Sequence, residues 1–366
     1  MKANNTGCAG DIRSLRDRLW TAVTCRDEYR AADIVCAALE DGVSAETVLL
    51  DLIAPVQMKV GAEWAANRLS VAQEHAASAI TERVIAALAH HPAVRTPPPL
   101  GRITVACVNQ EWHVLPARLL AEVLTLRGWQ VDFLGAQVPT PHLIAHLHHN
   151  GADAVALSSS IPTRLPDAHA AITACQAIGV PVLAGGAAFG PDGRYARLLG
   201  ANAWAPDARA AAQQLSDGIP TPSLAAGRQQ IDDLPHLADQ EYTLVARSQG
   251  QLVKEVLTRL EDVFPAMAAY TAPQRERTAE DIGHIVDFLG AALYTDDDDL
   301  FTTFITWTAD ILTARHVPAT QSLHPALTIL AAELKDFPRS IRLLDRARLI
   351  LDSAPLSAGT LPGATA

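Results

Sequence analysis

Ile103-Thr104-Val105-Ala106-Cys107-Val108, followed at once by Asn109-Gln110-Glu111-Trp112-His113-Val114-Leu115-Pro116, decides how this chain reads. Five of the first six residues are apolar, which suits a strand buried on both faces, and Leu115 to Arg127 then carries a helical pattern. The alternation repeats. Val131 to Gly135, Ala154 to Ser160, Pro181 to Gly186 and Ala203 to Pro206 read as strands. Pro141 to His149, Pro166 to Ile178 and Tyr195 to Leu199 read as helices, and Asp207 caps a last one from Ala208. This spacing predicts a doubly wound parallel sheet over residues 101–218. Ligands of such sheets sit beyond the carboxyl ends of the strands. His113, Ser158-Ser159-Ser160 and Gly185-Gly186 all fall at that edge.

Working outward, residues 10–95 read as a bundle of four or five helices. Ala31, Ile34, Val35 and Ala38 recur at helical spacing, as do Ala45, Val48, Leu49 and Leu52. Asp41-Gly42 closes one helix and Ser44 is the N-cap of the next, with Glu46 in its first turn, where a negative charge suits the helix dipole. Arg95-Thr96-Pro97-Pro98-Pro99 is a stiff linker. Pro220-Thr221-Pro222-Ser223 is a second loop. A third region, residues 233–355, is helical again: His236 to Phe264, Ala279 to Leu293, Leu300 to Ala314, Gln321 to Lys335 and Ser340 to Leu351. The acids Asp296 to Asp299 lie just before a helix, where they suit its positive end and make a calcium loop a minor reading. The tail from Ser353 reads as disordered.

The 366 residues are 49% hydrophobic and 19% charged, with 29 Lys and Arg against 40 Asp and Glu, a net charge of −11. That balance argues against direct nucleic-acid binding, which needs clustered cations. No apolar run is long enough to span a membrane, the N-terminus lacks a secretory pattern, and a cytoplasmic location is expected. The five cysteines show neither Cys-x-x-Cys spacing nor a disulfide framework.

Glu111 stands two residues before His113, placed to take one ring N–H of an imidazole that ligates a metal through its other nitrogen. Alone this signal is weak. Serine and glycine at the same sheet edge add room and hydrogen-bonding groups for a nucleotide-like tail, and the absence of Gly-x-Gly-x-x-Gly argues against ordinary dinucleotide binding. The set resembles the Rossmann-like cobalamin-binding domain of methionine synthases, cobalamin mutases and corrinoid proteins, which carries Asp-x-His-x-x-Gly, then Ser-x-Leu, then Gly-Gly. Forty-one residues, Ala117 to Leu157, separate the first two motifs. The resemblance implies that His113 is the lower axial cobalt ligand and that Ser158, Ser160, Gly185 and Gly186 surround the cofactor's tail, with Glu111 and Trp112 in the cofactor-binding set. Glu111 stands in place of Asp, Pro116 in place of Gly and Ser160 in place of Leu.

In the helical first region Trp64 is followed, after nine residues, by Glu74-His75. This resembles the cap of light-sensing adenosylcobalamin repressors of the CarH type, and implies that Trp64, Glu74 and His75 cover the upper face of adenosylcobalamin. Those repressors have a histidine directly after the tryptophan, where this chain has Ala65, so trapping of cobalt by two histidines along that route is not expected. A core tryptophan with a solvated Glu-His pair is the plainer alternative.

The whole architecture resembles photocobilins, which add a bilin held in a globin-like helical domain. Arg275 and Arg277 would then meet the propionates of biliverdin, and Asp281 and His284 its pyrrole N–H groups; a solvated helix face accounts for the same residues. No cysteine lies beyond Cys175, so a bilin in this domain would be held non-covalently. The expected function is a light-responsive cobalamin sensor rather than an enzyme. Its output would be a change in self-association or an unidentified protein partner. A corrinoid methyl carrier for a methyltransferase is the alternative.

Overall fold

The structure is a computed structural model and describes residues 6–94, 97–221, 234–315 and 319–353. Arg95-Thr96, Pro222-Ser223 and the tail beyond Ser353, read above as linkers and disorder, lie outside the described residues. The first region folds as α1 (Thr6–Thr24), α2 (Glu28–Glu40), α3 (Ala45–Thr47), α4 (Ala54–Ala65) and α5 (Val71–Ala89), with a π-helical segment, Val48–Ile53, joining α3 to α4. Local caps set these starts. The Asp27 carboxylate accepts from the Arg30 N–H and the Ser44 hydroxyl from the Thr47 N–H, while Ser70 and Gln73 form a capping box. Val48, Leu49, Leu52 and Ile53 are all buried, so the wide turn presents four apolar side chains to the core.

The sheet has strands β1 (Gly101–Cys107), β2 (Trp129–Gly135), β3 (Ala154–Ser158), β4 (Val182–Gly185) and β5 (Ala203–Ala205). They lie in the order β2-β1-β3-β4-β5, all parallel. Helices α6 (Val114–Leu126), α7 (Thr140–Asn150), α8 (Leu165–Ala177) and α9 (Arg194–Leu198) make the four connections, and α10 (Ala208–Asp217) follows β5. Each expected strand is present. The third ends at Ser158: the Ser159 N–H still donates to the Gly185 carbonyl at 3.1 Å, but its hydroxyl and the Ser160 N–H turn to a side chain. The chain order reverses on either side of β1, so the loops after β1 and β3 flank the crevice where such folds take ligands.

Cap and sheet share one apolar core. Leu19, Ile34, Leu49, Val60 and Ile85 of the cap join Ile103, Val105, Leu124, Ala156 and Leu215 in it. An ionic cluster adds to the junction: Glu46 meets the Arg127 guanidinium at 2.8 and 3.0 Å and Arg209 at 3.2 Å, and Arg209 also reaches Asp51. The hydrogen bond from Arg127 leads the effects that hold the Glu46 carboxyl below its usual range. Glu46 therefore ties the cap to the sheet domain, beyond its place in a first turn.

A second compact unit takes in Ile161–His169 and the C-terminal helices. These are α11 (Glu241–Val263), α12 (Ala272–Thr295), α13 (Asp298–Ala314), α14 (Ala319–Glu333) and α15 (Pro338–Ser353). Two boundaries differ from expectation. The run from His236 breaks at Gln240, which takes a left-handed φ of 64 after a short 3-10 turn. Helix α12 starts at Ala272 rather than Ala279, because Thr271 and Gln274 form a capping box and Pro273 suits a first turn. Asp296 ends α12 and Asp297 caps α13, but Asp298 and Asp299 lie inside its first turn and pair with Arg342 and Arg346. These acids are neutralised structural groups. The unit's core holds Val256, Leu289, Phe301 and Leu344, and a 2.7 Å hydrogen bond joins the His169 imidazole to the Tyr294 hydroxyl.

Candidate functional site

Cys107, Ser158 and Gly185 stand in register across β1, β3 and β4, and the residues after them form the candidate site. Past β1 the chain turns sharply. The Glu111 N–H donates to the Val108 carbonyl at 3.0 Å, and Gln110 sits at φ 61, a conformation uncommon outside glycine. The turn sends the Glu111 side chain inward, where the residue is 1% exposed.

A buried carboxylate must be satisfied by donors, and this one is. Its Oε1 accepts from the His113 backbone N–H at 2.9 Å and lies 2.6 Å from His113 Nδ1. Its Oε2 accepts from the Ser159 hydroxyl at 3.1 Å and the Ser160 N–H at 2.7 Å. Burial alone would push the carboxyl up, but the His113 and Ser160 hydrogen bonds together outweigh it and set the pKa at about 2. Glu111 in turn raises His113, and the Glu74 carboxylate of the cap adds to that rise. Of the sequence candidates, His113 and Glu111 come together as expected. Ser158 is buried at the end of β3, Ser160 supplies its amide, and Trp112 is 70% exposed beside His113. Ser159, fully buried on Glu111, falls at the edge the sequence marks but is not among the residues expected to hold the cofactor.

Gly185 and Gly186 lie directly against this group. A Cβ on Gly186, at φ +96, would stand 2.3 Å from the Ser159 carbonyl oxygen, so the loops after β3 and β4 approach as only glycine allows. These features suit a cobalt corrin. Glu111 occupies Nδ1, which leaves Nε2, on a side chain that is 55% exposed, as the ring nitrogen that could meet a metal.

On the cap, Trp64 sits half-buried near the end of α4, and Glu74 and His75 lie in the first turn or so of α5. Glu74 Oε2 meets His75 Nδ1 at 2.6 Å and Oε1 accepts from the Ser78 hydroxyl at 2.8 Å. Gln57 of α4 donates to Ser78 Oγ at 2.7 Å and accepts from Thr81, so one polar chain fixes α4 against the face of α5 that carries Glu74. Gln57 and Ser78 were invisible to local pattern.

Arg275, Arg277, Asp281 and His284 all lie on α12. Arg275 is already paired with Glu261 and donates to the Met267 carbonyl. Asp281 is raised chiefly by desolvation, opposed by His284, Arg315 and Arg277 nearby. Among the described residues no cluster of His, Cys, Asp and Glu could hold a metal by itself, and no helix is long and apolar enough to cross a membrane. Cys25, Cys36, Cys107 and Cys175 are free thiols.

Residues 101–215 and 15–89 each match a family model described as a B12 binding domain. The chain is 33% identical over 184 residues to the HTH-type transcriptional repressor CarH of Myxococcus xanthus, covering 47% of this chain and 58% of that protein. It is 29% identical over 184 residues to the repressor CarA of the same organism, covering 48% and 59%. It thus spans rather more than half the length of these relatives. Among solved structures it is similar to the monomethylamine corrinoid protein of Methanosarcina barkeri, with TM-score 0.49, 19% identity, and coverage of 55% of this chain and 96% of that one. A cobalamin-binding protein of Desulfitobacterium hafniense gives TM-score 0.31 and 18% identity, over 56% and 97%. With a helical and a sheet region that both match B12-binding models, this chain is a cobalamin-binding protein.

Proposed function

We propose that the chain is a light-responsive sensor that binds adenosylcobalamin, with His113 as the lower cobalt ligand and Trp64, Glu74 and His75 over the upper one. The bound cofactor supplies a cobalt–carbon bond that visible light breaks. What supports the reading is that cap and sheet share one apolar core, that the Glu74 carboxylate of the cap adds to the rise of His113 behind the larger effect of Glu111, and that this stretch is similar to CarH and CarA. Glu111 holds the His113 ring in one orientation and one tautomer. The Trp64 indole offers a flat apolar surface for the adenosyl group, and the Glu74 carboxylate can accept from ribose hydroxyls. Trp64, Glu74 and His75 would lose the group they would pack on if the upper ligand left. Altered self-association or contact with a protein partner follows as the output.

Absorption spectra of purified holoprotein, recorded before and after blue-green illumination, test this. A light-driven change in the wild type, and an altered dark spectrum in His113→Ala, are expected. A spectrum that light leaves untouched removes the sensor. Retention of adenosylcobalamin in preference to methylcobalamin separates it from a methyl carrier. Both family models stop by residue 215, so the bilin expected at Arg275, Arg277, Asp281 and His284 rests on those side chains alone, and a biliverdin titration decides it.

A further inference from the structure

The charge of the chain is unevenly spread. Residues 229–353 hold 11 Lys and Arg against 20 Asp and Glu, a net charge of −9 out of −11. The cap, by contrast, bears a basic patch. Arg13, Ser14, Asp17, Arg18 and Thr21 recur along one face of α1, and with Arg30 of α2 they line a hollow of about 460 Å³. Among the described residues Arg13, Arg18 and Arg30 form no ion pair, unlike Arg16, which donates to the Asp51 carbonyl. Arg26 and Tyr29 are exposed at the same helix junction, Tyr29 by 78%. Arginine and tyrosine are the side chains that most often anchor protein interfaces.

The matching surface is on the same chain. Where α11 ends and α12 begins, Asp262, Glu276 and Glu280 are exposed and, among the described residues, without ion pairs. Val263 stands 56% exposed between them in sequence, an apolar group for an aromatic partner to cover. Guanidinium groups pair carboxylates in preferred bidentate geometry, so one surface complements the other in charge and in its apolar anchor.

We propose that the arginine-lined hollow of α1 and α2 is a docking site for the acidic α11–α12 tip of a second copy of this chain. The contact joins two different surfaces, so it propagates or closes as a ring rather than pairing like with like. It goes beyond cobalamin binding and does not depend on it.

Sedimentation of the full-length holoprotein at low and high salt, in the dark, tests the proposal. Association at low salt that weakens with added salt is expected, since exposed charges are screened. The variant Arg13→Glu/Arg18→Glu should associate at least tenfold more weakly, as should Glu276→Lys/Glu280→Lys, each with an unchanged cobalamin spectrum. Mixing the two variants should restore association, because the reversed hollow now meets a reversed tip. A wild type that stays monomeric at low salt, association indifferent to the reversals, or no recovery on mixing each overturns it. So does a hollow that responds only to an added oligonucleotide, which would assign it to phosphate.

Discussion

Below the site, the Glu111 carboxylate is 1% exposed and takes donors from two separate loops; above it, Glu74 pairs mainly with neighbours on its own helix, and the His75 side chain is 76% exposed. The first arrangement needs no ligand to hold its shape. The second leaves apolar and polar groups at a surface that a ligand would complete. This division suits a sensor, which must retain its cofactor while one face of it changes. On the proposed reading, a rigid floor would keep the cofactor and a compliant lid would register the change.

The sharpest way to break this contrast is to remove the floor's centre. Glu111→Ala deletes the acceptor for the His113 ring and strands the Ser159 and Ser160 donors, so cobalamin affinity should fall by about 10–100-fold. Spectroscopic titration measures it. Glu111→Asp sharpens the point. The resembled family uses aspartate there, but here the longer side chain serves both the His113 and the Ser160 loops. The shorter one should lose one of them, and an Asp variant that binds like wild type would show that the Ser159–Ser160 contacts do not matter.

That result bears on what sequence can reveal. The strand–loop–helix alternation was enough to put His113, Ser158 and Gly185 at one edge, because a parallel sheet leaves few alternatives. The adjacency of Glu111 to His113 is local and was legible too. The pairing of the Ser159 hydroxyl with Glu111 was not, since the two lie 48 residues apart in sequence. Glu46 looked like a dipole residue because its partners, Arg127 and Arg209, are distant in sequence. The start of α12 was missed for the opposite reason: its signal, Thr271 with Gln274, is local but precedes the apolar period.

Acidity separates apo from loaded protein. Glu111 at about 2, against an ordinary 4.5, contributes stability that is present above pH 4.5 and lost as the pH falls toward 2. His113 is raised above 6.5, so its contribution to the unloaded fold is present below that value and lost as pH rises through the raised one. Cobalt ligation has the reverse dependence, since it needs the unprotonated nitrogen. Affinity for cobalamin should therefore fall as pH drops through a midpoint above 6.5, by up to about tenfold per unit. Removing Glu111 as Gln should move that midpoint down. A pH-independent affinity would mean that His113 is not the ligand.

Gly186→Ala tests the floor's packing without touching a donor. The added methyl meets the Ser159 carbonyl at 2.3 Å and the φ of +96 disfavours any side chain. A loss of about 1–3 kcal/mol of stability is expected by chemical denaturation. Gly185→Ala, whose nearest neighbour would be the Ala205 carbonyl at 3.6 Å, should be nearly silent. Equal effects at the two positions would deny the close approach of the β3 and β4 loops.

The smallest effect belongs to the lid. The Glu74–His75 pair is exposed on one side, and such pairs contribute about 0–1 kcal/mol, so His75→Ala should change cobalamin affinity less than about threefold. Trp64→Ala should likewise leave the dark spectrum set by His113 unaltered. What both substitutions should change is the photochemistry, because in the proposed site the lid would shield the upper ligand from water and from recombination partners. Altered yield or product after illumination, alongside near-normal binding, is the pattern expected of a compliant cover. Loss of binding as large as that in Glu111→Ala would mean instead that the lid holds the cofactor as firmly as the floor does, and the division between the two halves of the site would not stand.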